Sequence, residues 1–195
     1  MKSKTKTLVV TFLLLCAAAC TKENISKTSS APLRSSAGSN AVTAFTIGQH
    51  YHGGIIFYID GTGQHGLIAA ETDQGTGIAW RKNKNIVTGA TGTAVGTGLS
   101  NTKAIVAAQG SSGNYAALLC LQYVSGTFKN WYLPSKAELN LLYKKKDVIG
   151  NLSATNYWSS SEVSKVKAWD QEFGGGFQFK DYKSFTLNVR AISSF

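Results

Sequence analysis

Cysteine, proline and carboxylate side chains are scarce in this chain. Three cysteines occur in 195 residues, and Cys16 and Cys20 fall in the N-terminal stretch treated below as a signal. Cys120 is then alone in the folded part, which excludes an intramolecular disulfide and a cysteine-based zinc site. Its neighbours Ala117, Leu118, Leu119 and Leu121 are apolar, so it reads as a buried structural thiol; a reactive cysteine needs a polar, electropositive setting. Two prolines against 20 glycines predict short strands joined by glycine-rich turns. Ten acidic residues face 20 basic ones, a net charge of +10, and few carboxylates are left to pair for catalysis. Asp170 and Glu172, two apart on an expected strand, share one exposed polar face. Glycoside hydrolysis needs carboxyl groups roughly 5–9.5 Å apart across a cleft. No catalytic residue and no cofactor is assigned, and the chain is expected not to be an enzyme.

No apolar run is long enough to cross a membrane. Leu8 to Ala19 is twelve residues with only Thr11 polar, against about 20 needed for a spanning helix. With Lys2, Lys4 and Lys6 before it and small residues after it, the run reads as a signal peptide over 1–19. Leu15-Cys16-Ala17-Ala18-Ala19-Cys20 resembles the lipobox of bacterial lipoproteins, with Ala17 where leucine is preferred. The resemblance implies cleavage before Cys20 and lipid on its thiol, and several acyl chains anchor firmly to a membrane. An ordinary secretory signal cut after Ala19 is the alternative. Residues 20–44 are rich in Ser, Thr, Ala, Asn and Lys and too poor in large apolar groups to offset ordering entropy, so they read as a flexible tether. Losing three lysines with the signal leaves 17 basic against 10 acidic residues, near +7. An exported basic domain suits anionic partners; its compartment argues against nucleic acid.

Residues 45–195 carry the domain. Gly54-Ile55-Ile56-Phe57-Tyr58-Ile59 and His65-Gly66-Leu67-Ile68-Ala69-Ala70 flank a glycine turn and predict a hairpin, its apolar run implying burial on both faces. Residues 81–100 read as a long surface loop. A helix follows, capped by Ser100 or Asn101 and carrying Ile105 and Val106, then a second over 115–123. Ser135 and Glu138 form a capping box for a third, with Leu139, Leu142 and Tyr143 as its apolar stripe. Lys144-Lys145-Lys146 closes it, either as a solvated end or as a polyanion contact. Strands are expected at 157–161, 166–173, 177–180 and 187–192, with Gly174-Gly175-Gly176 turning between two of them. An early hairpin, two to three helices and a late antiparallel sheet make the fold class α+β.

Candidate binding residues are few. His50 and His52 would share one face of a strand, with His65 in the neighbouring arm; solvated histidines are the competing reading, and no metal site is assigned. Gly96-Thr97-Gly98-Leu99 lacks the third glycine of a dinucleotide loop. Of four tryptophans, Trp131 and Trp158 have apolar neighbours and read as core. Trp80 beside Arg81 and Lys82, and Trp169 beside Asp170, are the candidates for an exposed ligand site, where indole could stack on a pyranose.

Three segments carry a family resemblance. Trp131-Tyr132-Leu133-Pro134-Ser135-Lys136-Ala137-Glu138-Leu139, Tyr157-Trp158-Ser159-Ser160-Ser161-Glu162 and Val189-Arg190-Ala191-Ile192 resemble the DUF1566 family, also called the Lcl C-terminal domain. Gly53 to Ile59 and His65 to Ala70 look like the start of the same domain. The resemblance implies a C-type lectin-like fold, related to formylglycine-generating enzymes, whose termini meet in one sheet. The calcium triplets of lectins and the paired cysteines of those enzymes are missing. The expectation is a non-catalytic, lipid-anchored protein of the cell envelope, on the outer membrane. It would recognise a polysaccharide or host glycan, anionic ones included, in adhesion or capture. The alternative is a protein-interaction subunit of an envelope or adhesion complex.

Overall fold

A computed structural model describes residues 44–195; the signal, Cys20 and most of the tether lie outside them. The expected hairpin is β2 (Gly54–Ile59) and β3 (Gly66–Ala70), preceded by the two-residue β1 (His50–Tyr51). β4 (Gly75–Ala79) follows, then the helices α1 (Gly98–Gln109), α2 (Ala116–Gln122), α3 (Lys136–Lys144) and the short α4 (Lys146–Ile149). The chain closes with β5 (Asn156–Glu162), β6 (Lys167–Glu172), β7 (Gln178–Tyr182), β8 (Thr186–Val189) and β9 (Ile192–Ser194). This is an α+β fold.

Two sheets divide the strands. One is antiparallel in the order β1-β2-β3-β9, and so holds both ends of the described chain; the other runs β4-β8-β5-β6-β7. Within the second, β5 and β8 meet parallel at Tyr157↔Asn188, while the other pairs are antiparallel. The run expected at 187–192 is therefore two strands in different sheets. Arg190 sits at the switch, its Nε donating to Asp73 Oδ1 at 2.6 Å and its Nη1 to the Ala70 carbonyl at 2.8 Å.

β2 and β3 carry unbroken apolar runs because they separate two cores. Ile56 and Ile68 point into one, with Trp80, Ile105, Trp131 and Trp158. Ile55, Phe57 and Leu67 point into the other, under Leu139 and Leu142 of α3 and beside Tyr157 and Phe173. Gly54 is required by close packing: a Cβ there would come within 2.8 Å of Trp131 Cη2. Cys120 is fully buried, and burial pushes its thiol well above the ordinary range.

The 81–97 segment is irregular, as expected, but is stitched down rather than loose. Thr88 N–H and Gly89 N–H donate to the Glu162 carboxylate at 2.9 and 3.1 Å. Gly92 is held at both its N–H and C=O by Asn101, at 3.1 and 2.6 Å. Gly96 N–H donates to Glu138 Oε1 at 2.8 Å. Asn101 is thus a loop clasp and not a cap; α1 begins three residues earlier, after Thr97, which makes no side-chain cap bond. Glu138 serves twice. Its other oxygen accepts from Ser135 N–H at 2.7 Å while Ser135 Oγ accepts from Glu138 N–H at 3.3 Å, completing the capping box. Burial raises the Glu138 carboxyl above its usual range against these donors.

Candidate functional site

The nominated residues do not form one site. Trp80 is fully buried, which corrects the expectation of an exposed platform. Its Nε1 donates to the Ser159 carbonyl at 2.8 Å, and Lys183 Nζ sits 4.4 Å from its ring centroid. Its basic neighbours mislead: Lys82 turns to the end of α1, its Nζ donating to Ser112 Oγ at 2.9 Å and its backbone N–H to Gln109 Oε1 at 3.3 Å. Arg81 is half-buried, with a buried Nε that has no protein partner.

Trp169 and Asp170 also separate, because successive strand residues point to opposite faces. Asp170 pairs across the ladder with Trp158 and is buried, so the exposed polar face expected for Asp170 and Glu172 does not exist. Asp170 Oδ2 accepts from Asn156 Nδ2 at 2.7 Å, and Oδ1 is buried without a partner. Burial pushes this carboxyl up to about 6, against the Asn156 bond that lowers it. Glu172 turns instead to its own hairpin, accepting from Gly175 N–H at 2.6 Å.

Trp169 faces the other way, onto a surface that sequence reasoning did not assemble. On β6 and β7 the register sets Trp169 opposite Lys180 and Lys167 opposite Tyr182. The result is a two-by-two checkerboard, with aromatics on one diagonal and lysines on the other. Cross-strand neighbours of this kind lie about 4.5–5.5 Å apart at Cβ. Lys136 Nζ, from the first residue of α3, lies 3.6 Å from the Trp169 ring centroid and Lys180 Nζ lies 4.9 Å from it. Lys167 Nζ lies 4.7 Å from the Tyr182 ring. α3 covers the adjoining part of the face, where Gln171 Nε2 donates to Asn140 Oδ1 at 3.0 Å and Gln178 Nε2 donates to the Lys136 carbonyl at 3.1 Å. The checkerboard is what α3 leaves uncovered.

The ring of Trp169 is thereby engaged by lysine and is not an open sugar platform. Ammonium over indole is favourable by about 0.5–1 kcal/mol at exposed sites, a few-fold bias toward these lysine positions, in which the ammonium hydrogens still face solvent. The arrangement presents three cations, Lys136, Lys167 and Lys180, on one face. Period-two alternation in Lys167-Ala168-Trp169 and Lys180-Asp181-Tyr182 was a signal for this pattern; the pairing of the two strands was not.

The histidines do not converge. His52 lies in the turn between β1 and β2 with φ 50°, so it does not share a strand face with His50, whose Nδ1 is 2.8 Å from Glu71 Oε1. Among the described residues, no three His, Cys, Asp or Glu side chains gather where a metal could bind. No helix among them is long and apolar enough to cross a membrane.

The profile of the Lcl C-terminal domain matches residues 70–193, well over half of the chain and most of the described domain. The chain belongs to the Lcl C-terminal domain family. The match takes in the whole of the β4-β8-β5-β6-β7 sheet, all four helices and the lysine–aromatic checkerboard, and of the other sheet only Ala70 and most of β9. No curated protein matches the chain.

Proposed function

We propose that this Lcl C-terminal domain protein is a non-catalytic binding protein of the cell envelope, anchored by lipid on Cys20 and displaying a C-type lectin-like domain that recognises an anionic polysaccharide. The observation that carries the reading is the checkerboard, where Lys136, Lys167 and Lys180 are aligned by Trp169 and Tyr182 on a face that α3 does not cover. Spaced cations on a fixed sheet suit a polymer with repeating carboxylate or sulfate groups, and the overall excess of base draws such a polymer in. Trp80, Arg81, Lys82 and Asp170 have no part in this surface. The lipobox-like residues before Cys20 support the anchor, and the outer membrane is the address proposed with it.

Retention of the purified domain on immobilised alginate and heparin tests the reading. Retention should weaken as salt rises, since exposed charge pairs are screened over about 8–10 Å at 0.10–0.15 M. Lys136→Gln with Lys167→Gln should lower it several-fold. Equal elution of the double variant and the parent protein would refute the assignment.

A further inference from the structure

The exposed aromatic side chains are concentrated in one place. Phe177, Phe179, Tyr182 and Phe185 are 68, 44, 49 and 48% exposed, and all lie on β7 or beside its ends. β7 is the last strand of its sheet. The ladder shows which of its backbone groups are free. Glu172 N–H donates to the Phe177 carbonyl at 2.9 Å, and Lys183 N–H donates to the Val166 carbonyl at 2.9 Å. The register between these bonds is unbroken from Gln171↔Gln178 to Lys167↔Tyr182. Antiparallel alternation therefore turns the backbone groups of residues 177, 179, 181 and 183 toward β6. The N–H groups of Gln178, Lys180 and Tyr182 point away from it. Side chains alternate too: Phe177 and Phe179 share one face, Lys180 and Tyr182 the other.

We infer that β7 accepts an extended segment of a protein partner as a sixth strand, apolar where it flanks Phe177 and Phe179 and acidic where it flanks Lys180. Outward donors on Gln178, Lys180 and Tyr182 and outward acceptors on Gln178 and Lys180 match another strand, the Tyr182 carbonyl being taken by Phe185 N–H at 2.8 Å; a bilayer or a glycan offers no such ladder. Charge selects among strands. A second copy pairing antiparallel about the middle of β7 would set Lys180 against its own counterpart, and like charges directly opposite are destabilising. An acidic residue at that position reverses the sign, while Phe177 and Phe179 gain cover for surface that monomers seldom leave in one patch. The incoming strand lies beside β7, in the plane of the sheet, whereas the polysaccharide lies over the checkerboard.

The test uses the intact domain with a short labelled peptide alternating glutamate and valine, and a control alternating lysine and valine. The glutamate peptide should bind at least about tenfold more tightly, and its binding should slow hydrogen exchange at the Lys180 and Tyr182 amides. Lys180→Pro removes an outward N–H without touching the β6 ladder and should abolish binding. Phe179→Ser should weaken it at least several-fold while leaving alginate retention unchanged. Should Lys180→Pro misfold, Phe177→Ser replaces it with the same expected loss. Equal affinity for the two peptides, unchanged exchange at those amides, or full binding by the folded variants would each overturn the inference.

Discussion

Two lysine–tryptophan contacts in this domain look alike in chemistry and differ in everything else. Lys183 lies 4.4 Å from the Trp80 ring with both side chains fully buried. There the ammonium also forms an ion pair with Glu162 and donates to the Ile86 carbonyl at 3.1 Å. Burial pushes Lys183 below its ordinary range, and Glu162 pulls it back. Lys136 lies 3.6 Å from the Trp169 ring at the surface, where no carboxylate neutralises it. In the first contact the cation is spent on structure: through Glu162 it fastens the Thr88–Gly89 segment. In the second the cation is held still and left available. The difference is set by whether an acid shares the site, and not by the pair itself.

Substitutions at the buried contact should have the largest effects. Lys183→Met leaves Glu162 as an uncompensated buried charge and should cost about 3–5 kcal/mol in urea unfolding, with faster hydrogen exchange at Thr88 and Gly89. Trp80→Ala should cost a similar amount, about 3–5 kcal/mol, through the cavity it leaves. Trp169→Ala should cost less, about 1–3 kcal/mol, because its ring is partly solvated and its loss opens no enclosed cavity. If the two tryptophan variants were equally destabilised, the contrast would collapse.

A smaller, pH-dependent effect comes from the residue behind Trp169. Asp170 has its carboxyl raised to about 6 in the folded protein, so between the unfolded value near 3.9 and about 6 the folded state binds more protons than the unfolded one. Stability contributed by this group therefore falls as pH rises through that window and stays low above it. Asp170→Asn should stabilise the domain at pH 7 by about 1–3 kcal/mol, and the gain should shrink toward pH 4. Thermal melts of both proteins at the two pH values measure it; a gain independent of pH would show that the carboxyl charge is not the cause.

Much of the fold was legible because it rests on local pattern. The capping box of Ser135 and Glu138 and the apolar run of β2–β3 are written in adjacent residues. β4 was not, since Gly75-Thr76-Gly77-Ile78-Ala79 has little strand character and forms by pairing with β8 from far along the chain. The site was less legible still. Trp80 beside Arg81 and Lys82 looks wet in sequence, but its indole is carried inward with β4 and capped by a lysine about a hundred residues away. Asp170 beside Trp169 looks like one site, yet strand alternation sends the two side chains to opposite faces. Lys136 and Lys180 reach Trp169 from a helix and a neighbouring strand, and long-range register of that kind has no short-range signature.

The packing of Phe45 on Phe195, with ring centroids 4.6 Å apart, bears on how the domain would take mechanical load. Phe45 precedes β1 and Phe195 follows β9, so the two rings meet although β1 and β9 form opposite edges of their sheet. Tension applied between residues flanking these two rings would load the β1-β2-β3-β9 sheet from its two edges, leaving β6 and β7, which belong to the other sheet, out of the direct line of force. A domain built this way can be hung from one end, or spliced into a loop of another protein, without its opposite face being strained by the attachment.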